Sequence, residues 1–273
     1  MPILPPPLAT KLHNRWRKLL TAYYHATHQE FYILSYPKTG RTWLRVLLGK
    51  LLQDLGHLPA TALIQHDSFP PSWRQPPIYW SHEDAAMVLQ QPYTSLSADK
   101  SSYQGKNVII LSRDLKDTLV SAYFQATKRI HVFEGSIAEF IRDDRYGSKK
   151  VLTYYQHWEQ NLTVPGRIHL LRYEALHQDL DGELERLLTF LGLPATDPQL
   201  RRQAMDFASF GNLKKLEQQD HFKTEILRPG DRDDPDSFKV RQGKVGDYHN
   251  YLSPEDIAYL DDQIAAFGCS LLS

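Results

Sequence analysis

The stretch Phe31-Tyr-Ile-Leu-Ser-Tyr-Pro-Lys-Thr-Gly-Arg-Thr-Trp43 guides the interpretation of the whole sequence. Its first part is a short apolar run, which predicts a buried strand over Phe31–Ser35. A helical pattern of apolar residues follows from Thr42 to Asp54. The N-terminus of a helix presents free N–H groups and the positive end of the helix dipole, so the loop between strand and helix is a candidate anion site.

The side chains of this loop favour the same interpretation. Lys38 carries a full positive charge, and Thr39 and Thr42 offer hydroxyl donors. Gly40 has no Cβ, so the backbone can approach an anion closely there.

The P-loop of the nucleoside triphosphatases has its lysine after the glycine, whereas here Lys38 precedes Gly40 and no second glycine lies upstream. An ordinary turn before a helix is the alternative for this loop taken by itself.

Further strand-like runs alternate with helical patterns along the chain. Strands are predicted at Pro77–Ser81, Asn107–Ser112 and Arg167–Arg172, and helices after Asp114, over 179–191 and after Ser253. Near-continuous apolar strands that alternate with helices indicate an α/β protein with a parallel sheet covered on both faces. Ligands of such sheets bind at the carboxyl ends of the strands, and the loop at Lys38 follows a strand end.

Composition and charge restrict the function. The 273 residues include 32 Lys and Arg and 32 Asp and Glu, and this lack of net charge argues against non-specific nucleic-acid binding. The single cysteine, Cys269, allows neither an intrachain disulfide nor a Cys-based zinc site, which favours a reducing, cytoplasmic location. No run approaches the roughly 18 apolar residues of a membrane span, and the N-terminus has no signal pattern.

Two long segments, 55–77 and 218–247, have the composition of loops, with many prolines, glycines or charges. Long loops in compact domains are usually functional lids or disordered connections. Both segments are therefore expected to form walls of the acceptor pocket. The prolines near the N-terminus are unfavourable for a helix, and residues 1–10 are expected to be flexible. The whole chain, 1–273, is expected to form a single domain.

The segment Tyr36-Pro-Lys-Thr-Gly-Arg-Thr-Trp43 resembles the 5′-phosphosulfate-binding loop of the sulfotransferases that use 3′-phosphoadenosine-5′-phosphosulfate (PAPS). Two further segments match this family in order. One is Arg113-Asp-Leu-Lys-Asp-Thr-Leu-Val-Ser121, and the other is Arg241-Gln-Gly-Lys-Val-Gly-Asp-Tyr248. The resemblance implies a P-loop NTPase-like three-layer sandwich with a central parallel sheet flanked by helices.

By this resemblance, two anion sites hold the two ends of PAPS. Arg113 and Ser121 would bind the 3′-phosphate, and an arginine suits that role because its fork donates two parallel hydrogen bonds. The segment 241–243 would close over it. The residues placed around the two anions are Lys38, Thr39, Gly40, Arg41, Thr42, Arg113, Ser121, Arg241, Gln242 and Gly243.

The resemblance also implies an adenine site, formed by Trp43 and Phe210 as stacking surfaces and Tyr173 near the base. For each aromatic taken alone, core packing is the alternative. Two positions depart from the family pattern. Animal cytosolic members usually have a small hydroxyl residue where Arg41 stands, so the role of Arg41 is left open. The family often has Thr where this chain has Ala208, which removes one possible contact to adenine.

Sulfuryl transfer needs a general base for the acceptor and a cation for the leaving phosphate. Lys38 is expected to stabilise the leaving group. In the family a histidine that follows a short strand is the base, and His82 fits, although Trp80-Ser81-His82 replaces the usual Lys-Thr-His. His66 is the alternative base.

These features together predict an enzyme that moves a sulfuryl group from PAPS to a hydroxyl or amine by in-line attack and releases 3′,5′-ADP. The acceptor is expected to be a small molecule or a saccharide. The motifs imply no metal, because no acidic pair suited to Mg²⁺ follows a strand. The alternatives are a P-loop kinase or NTPase and a non-catalytic binder of PAPS or 3′,5′-ADP. The identity of the acceptor and the oligomeric state are left open.

Overall fold

The computed structural model describes residues 6–27, 29–58, 63, 68–69, 71–72, 75–193 and 196–272, without the side chains of residues 6–13. Its sheet has five strands in the order β2-β3-β1-β4-β5. The strands are β1 (Phe31–Ser35), β2 (Ser68–Phe69), β3 (Ile78–Ser81), β4 (Asn107–Ser112) and β5 (Arg167–Arg172). Neighbouring strands run parallel except for β2 and β3, which are antiparallel. The predicted central parallel sheet is therefore confirmed, with one short antiparallel strand at its edge.

Helices cover both faces of this sheet. They are α1 (Pro6–Ala26), α2 (Arg41–Asp54), α3 (Leu115–Phe124), α4 (Ile137–Phe140), α5 (Ser148–Glu159), α6 (Tyr173–Gln178), α7 (Leu180–Phe190), α8 (Pro198–Phe207), α9 (Phe210–Gln218) and α10 (Pro254–Phe267). Successive β1 residues Ile33 and Leu34 are both fully buried but belong to different apolar clusters. One cluster joins the sheet to α2, α7 and α9, and the other joins it to α3, α5 and α10. The result is three layers. None of the described helices is long and apolar enough to span a lipid bilayer.

The local signals of the sequence fix several element ends. The carboxylate of Asp114 accepts a hydrogen bond from the Asp117 N–H at 2.9 Å and so caps α3. The hydroxyl of Ser253 caps α10 in the same way, and Gly268 ends that helix with a φ of 62°. The predicted strands over 107–112 and 167–172 are confirmed residue for residue.

The N-terminal helix α1 forms at a place where the prolines of the sequence predict no helix. The helix starts at Pro6 and runs to Ala26. A proline in the first turn costs little, since the N–H that it lacks would have no partner inside the helix. Of the segment expected to be flexible, residues 1–5 lie outside the described part of the chain.

The first long segment, 55–77, is described only in part, because residues 59–62, 64–67, 70 and 73–74 lie outside the described residues. It contains β2, whose Phe69 pairs with Ile78 of β3, so this segment adds to the sheet. The alternative base, His66, lies outside the described residues. The second segment, 218–247, has no α-helix or strand after the end of α9.

A buried tyrosine ties the helical layer to the strand ends at which the anion loop begins. The hydroxyl of Tyr155 on α5 donates to the Leu111 carbonyl at 2.8 Å and accepts from the Tyr36 N–H at 3.3 Å. Tyr155 is fully buried, so water cannot replace it as a partner for these two backbone groups. This contact joins β4, the loop after β1 and α5.

We expect Tyr155→Phe to lower the free energy of unfolding by about 1–3 kcal/mol, because it leaves two buried backbone groups without a partner. The matched control is Tyr154→Phe. The Tyr154 hydroxyl is also buried but binds no backbone group, so its removal should lower the free energy of unfolding less. Urea unfolding of both variants measures the difference. Equal stability of the two would contradict a structural role for the Tyr155 hydroxyl.

Candidate active site

A cavity of about 410 Å³ opens at the carboxyl ends of the parallel strands. It lies between the loop before α2, the start of α3, the region from α6 to α9, and the segment 239–247. Three sequence segments that are far apart in the chain thus meet at one place. The predicted site residues that line the cavity are Lys38, Gly40, Arg41, Thr42, Trp43, His82, Arg113, Ser121, Tyr173, Phe210, Arg241, Gln242 and Gly243.

Thr39 is the predicted site residue that does not line this cavity. Its side chain is fully buried, and its hydroxyl donates to the Tyr36 carbonyl at 2.9 Å. The hydroxyl therefore holds the turn of the loop and does not face a ligand. The expectation that the Thr39 side chain adds a donor to the anion site is wrong for this geometry.

Lys38 has two unusual features. Its backbone lies in the left-handed region with a φ of 74°, a conformation that is uncommon outside glycine and concentrated at functional sites. Its ammonium donates to the neutral amide of Gln125 at 3.3 Å. Burial, together with the positive charges of Lys239 and Arg129, holds the pKa of Lys38 well below its usual range. An anion in the cavity would reverse this penalty.

The ring of Tyr173 connects three parts of the site. A Cβ at Gly40, whose φ is 100°, would lie 2.6 Å from Cδ2 of Tyr173, so only glycine allows this contact. The guanidinium of Arg113 lies 4.3 Å from the centre of the same ring. Trp43 meets the ring edge to face at 5.5 Å. Tyr173 therefore packs between the anion loop and the start of α3.

Arg113 is held by backbone carbonyls at two of its three nitrogens. Nη1 donates to the Lys38 carbonyl at 3.3 Å and Nη2 to the Lys244 carbonyl at 3.0 Å. Its Nε is buried and has no hydrogen-bond partner. Arg113 nevertheless lines the cavity, where its positive charge suits an anionic ligand.

Asp117 joins the second and third sequence motifs. Its carboxylate accepts from the N–H groups of Gly246 at 2.7 Å and Tyr248 at 3.1 Å, and it lies 3.8 Å from Arg113. It is almost fully buried. Nothing in the local sequence marks this role of Asp117, because a hydrogen bond to a backbone 129 positions away leaves no local signal.

Arg241 and Gly243 line the cavity on the segment that follows α9. The guanidinium of Arg241 donates to the Tyr251 hydroxyl at 2.5 Å and pairs with Asp247 at 3.4 Å. Gly243 has a φ of 64°, and a Cβ there would lie 2.8 Å from Cε2 of Phe210 and closer still to Cδ2. Phe210 is 37 % exposed, so its ring is available to a ligand.

An aromatic slot forms the opposite side of the cavity. Trp43 Nε1 donates to the Ala208 carbonyl at 2.9 Å, which fixes the orientation of the indole. His177, which the sequence analysis did not single out, lies 5.1 Å from the Trp43 ring and 4.5 Å from the Tyr173 ring. Ala208 thus contributes through its backbone, so the absence of a threonine side chain does not remove this contact.

His82 follows β3 and lines the cavity. Its Nδ1 lies 2.7 Å from the Ser35 carbonyl oxygen, which can only accept, so Nδ1 carries a proton and Nε2 of the neutral ring is an acceptor. Burial, and after it the positive charge of Arg41, holds the pKa of His82 well below its usual range. The ring is therefore a neutral base near physiological pH.

The turn after His82 is fixed by its neighbour. Glu83 lies in the left-handed region with a φ of 50°. Its carboxylate pairs with Lys100 at 3.0 Å and accepts from Trp158 Nε1 at 2.7 Å. These buried contacts hold the backbone on which His82 stands.

The family model described as "Sulfotransferase domain" matches residues 28–266. This chain belongs to the sulfotransferase family. Cytosolic sulfotransferase 15 of Arabidopsis thaliana is 25% identical over 278 residues, covering 90% of this chain and 75% of the relative. Flavonol 3-sulfotransferase of Flaveria bidentis is 25% identical over 269 residues, covering 91% and 84%.

Solved structures share the fold of this sulfotransferase. Mouse sulfotransferase SULT7A1, complexed with PAP, superposes with a TM-score of 0.60 at 18% identity, covering 88% of this chain and 84% of the mouse chain. Retinol dehydratase, in complex with androsterone and PAP, gives a TM-score of 0.59 at 16% identity, covering 88% and 80%. The expected sulfotransferase family, its P-loop-like α/β fold and PAPS-dependent sulfuryl transfer are thereby confirmed.

We expect Gly243→Ala to weaken the binding of 3′,5′-ADP at least tenfold, because the new methyl group displaces the Phe210 ring that lines the cavity. Gly246→Ala is the matched control. Gly246 also has a positive φ, 78°, but no atom lies within 4 Å of a Cβ built there. Both variants should lose about 1–2 kcal/mol of stability from the left-handed backbone. Calorimetric titration with 3′,5′-ADP separates them, and equal affinities would contradict the role of the Gly243–Phe210 contact.

Proposed function

We propose that this sulfotransferase moves the sulfuryl group of PAPS to the hydroxyl of a small phenolic acceptor. The observation that carries the proposal is the single cavity in which Lys38, Arg113 and Arg241 from three distant motifs meet a neutral histidine. The phenolic acceptor is supported by relatives that are named flavonol sulfotransferases. A saccharide or an amine is the alternative acceptor.

In this proposal the two ends of the cavity bind the two anionic ends of PAPS. The backbone of Gly40 and Thr42 at the start of α2, with the ammonium of Lys38, would bind the 5′-phosphosulfate. Arg113 and Ser121, which line the cavity, would bind the 3′-phosphate. Arg241 would leave its partner Asp247 to close over the same phosphate.

The adenine fits between these two anion sites. Trp43, with its indole fixed by the Ala208 carbonyl, and the half-exposed Phe210 would stack on its faces. Tyr173, whose ring already packs against Gly40 and Arg113, would border the base.

His82 and Lys38 would then act on the reacting groups. His82 Nε2 would accept the proton of the acceptor hydroxyl while the acceptor oxygen forms its bond to sulfur. The S–O bond to the phosphate breaks, and its electron pair stays on the phosphate oxygen. Lys38 would stabilise that negative charge. The Ser35 carbonyl holds the imidazole in the tautomer that this step needs.

We further propose that the chain forms one domain in the cytoplasm. Curated relatives named cytosolic sulfotransferases support this location. The lone cysteine, Cys269, is buried and has no partner for a disulfide, in keeping with a reducing compartment.

The proposal is tested by incubating the protein with PAPS and a panel of phenols, sugars and amines. We expect products that gain the mass of one sulfuryl group, and release of 3′,5′-ADP. In thermal shift measurements, 3′,5′-ADP should stabilise the fold by about 2.7 kcal/mol at a hundred times its dissociation constant. ATP with Mg²⁺ should do so far less. Preferential stabilisation by ATP with Mg²⁺ would favour a kinase, and nucleotide binding without any turnover would favour a non-catalytic binder.

We expect His82→Ala to lower turnover by about 10²–10⁴-fold, the usual contribution of a general base, and to leave 3′,5′-ADP affinity unchanged. The control is His66→Ala, which should retain turnover. Because its pKa is lowered, His82 stays neutral at pH values somewhat below 6.5, the ordinary pKa of a histidine. In wild type, protonation of His82 should therefore cause no loss of kcat/KM for PAPS as pH falls to 6.5, and this loss should appear only as pH falls through the lower pKa. Loss of turnover in His66→Ala alone would transfer the role to His66.

A further inference from the structure

The position two residues before His82 contributes no charge to the cavity. Trp80 stands there and is 3% exposed. Its ring packs edge to face on Phe69 at 5.7 Å, and the Arg45 guanidinium lies 5.1 Å from its centre. The strand that carries the proposed base thus supplies no cation to the reacting end of the site, although the leaving phosphate gains charge there.

Lys239 brings a positive charge to the same cavity from the segment that follows α9. It lines the cavity together with Lys38, Arg41 and His82. Within the described part of the chain, no hydrogen bond or ion pair holds its ammonium. Of the charged neighbours of Lys38, Lys239 has the largest effect, and its charge also acts on His82. Its effects therefore centre on the phosphosulfate loop and the proposed base.

The backbone of Lys239 is fixed by a buried acid. Glu217 on α9 is fully buried and accepts from the N–H groups of Lys239 at 2.6 Å and Val240 at 2.9 Å. Arg129 pairs with the same carboxylate at 3.2 Å. The starting point of the lysine side chain is therefore held in place before any ligand binds, which is what electrostatic catalysis requires.

The groups that face the Lys239 ammonium are mostly positive. Arg129 follows α3, Arg41 and Arg45 lie on α2, and Glu217 on α9 is the nearby acid. Burial and these positive neighbours lower the pKa of Lys239 to about 7. Such a cation is costly in the empty cavity and is stabilised when an anion enters, so its surroundings suit a negatively charged ligand.

We propose that Lys239 is a second catalytic cation, which contacts the sulfuryl group and the leaving phosphate oxygen together with Lys38. The inference rests on the proposed function and deepens it. As the acceptor oxygen bonds to sulfur and the S–O bond to phosphate breaks, the electron pair remains on the phosphate oxygen, and the two ammonium groups share its charge. Lys239 keeps its proton throughout, while the acceptor proton goes to His82.

The test compares Lys239→Met, Lys239→Arg and the control Lys215→Met. Lys215 is an exposed lysine on α9 that does not line the cavity. We expect Lys239→Met to lower kcat by about 10²-fold, comparable to the loss of one oxyanion donor. Its affinity for 3′,5′-ADP, which lacks the sulfuryl group, should stay within a few-fold of wild type. Lys239→Arg should retain most of the turnover, and Lys215→Met should behave as wild type.

Thermal unfolding shows that the variants are folded, because removal of a charge among like charges should leave the melting temperature unchanged or raise it. Turnover of Lys239→Met within about twofold of wild type would overturn the inference. Equal losses in turnover and in 3′,5′-ADP affinity would also overturn it, since Lys239 would then bind the nucleotide. A wild-type protein that transfers no sulfuryl group overturns the proposed function itself, and this is seen before any variant is made.

Discussion

The site depends on one constraint: several positively charged side chains lie together where they are largely shielded from water. Lys38 and Lys239 face the same cavity; burial and the charge of Lys239 lower the pKa of Lys38, and burial and the charges of Arg129 and Arg41 lower the pKa of Lys239. Arg113 adds a buried guanidinium whose Nε has no partner. The fold tolerates this repulsion because its core is built elsewhere, in the two apolar clusters on either side of the sheet. A ligand with two anionic ends would relieve it, so affinity for such a ligand follows from the cost of the empty site.

Two buried carboxylates make this arrangement rigid, and they work in the same way. Glu217 binds the N–H groups of Lys239 and Val240 and pairs with Arg129. Asp117 binds the N–H groups of Gly246 and Tyr248 and lies beside Arg113. The segment 239–248 is thus held at both ends by an acid that also neutralises an arginine. This explains how a stretch without α-helix or strand can hold Gly243 against the Phe210 ring.

Geometry rather than charge orients His82, the proposed base. The Ser35 carbonyl at the end of β1 accepts from His82 Nδ1, so the sheet itself selects the tautomer. The turn at Glu83 is anchored to Lys100 and Trp158 in the α5 layer. The cavity then combines a neutral histidine in a fixed orientation with the cations Lys38, Arg113 and Lys239. That combination suits in-line transfer of a group between an uncharged acceptor and an anionic leaving group.

The sequence by itself determined the four parallel strands, several helix caps and the order of the motifs, because these depend on neighbours within a few residues. The Asp114 cap and the strand over Asn107–Ser112 are examples. Only the tertiary structure decided which side chains face the cavity. Thr39 turns inward to the Tyr36 carbonyl, whereas Lys239, outside the quoted motifs, turns towards Lys38. His177 meets Trp43 across a long separation in sequence. Such contacts are set by packing between distant segments, and no periodicity or local spacing in the chain encodes them.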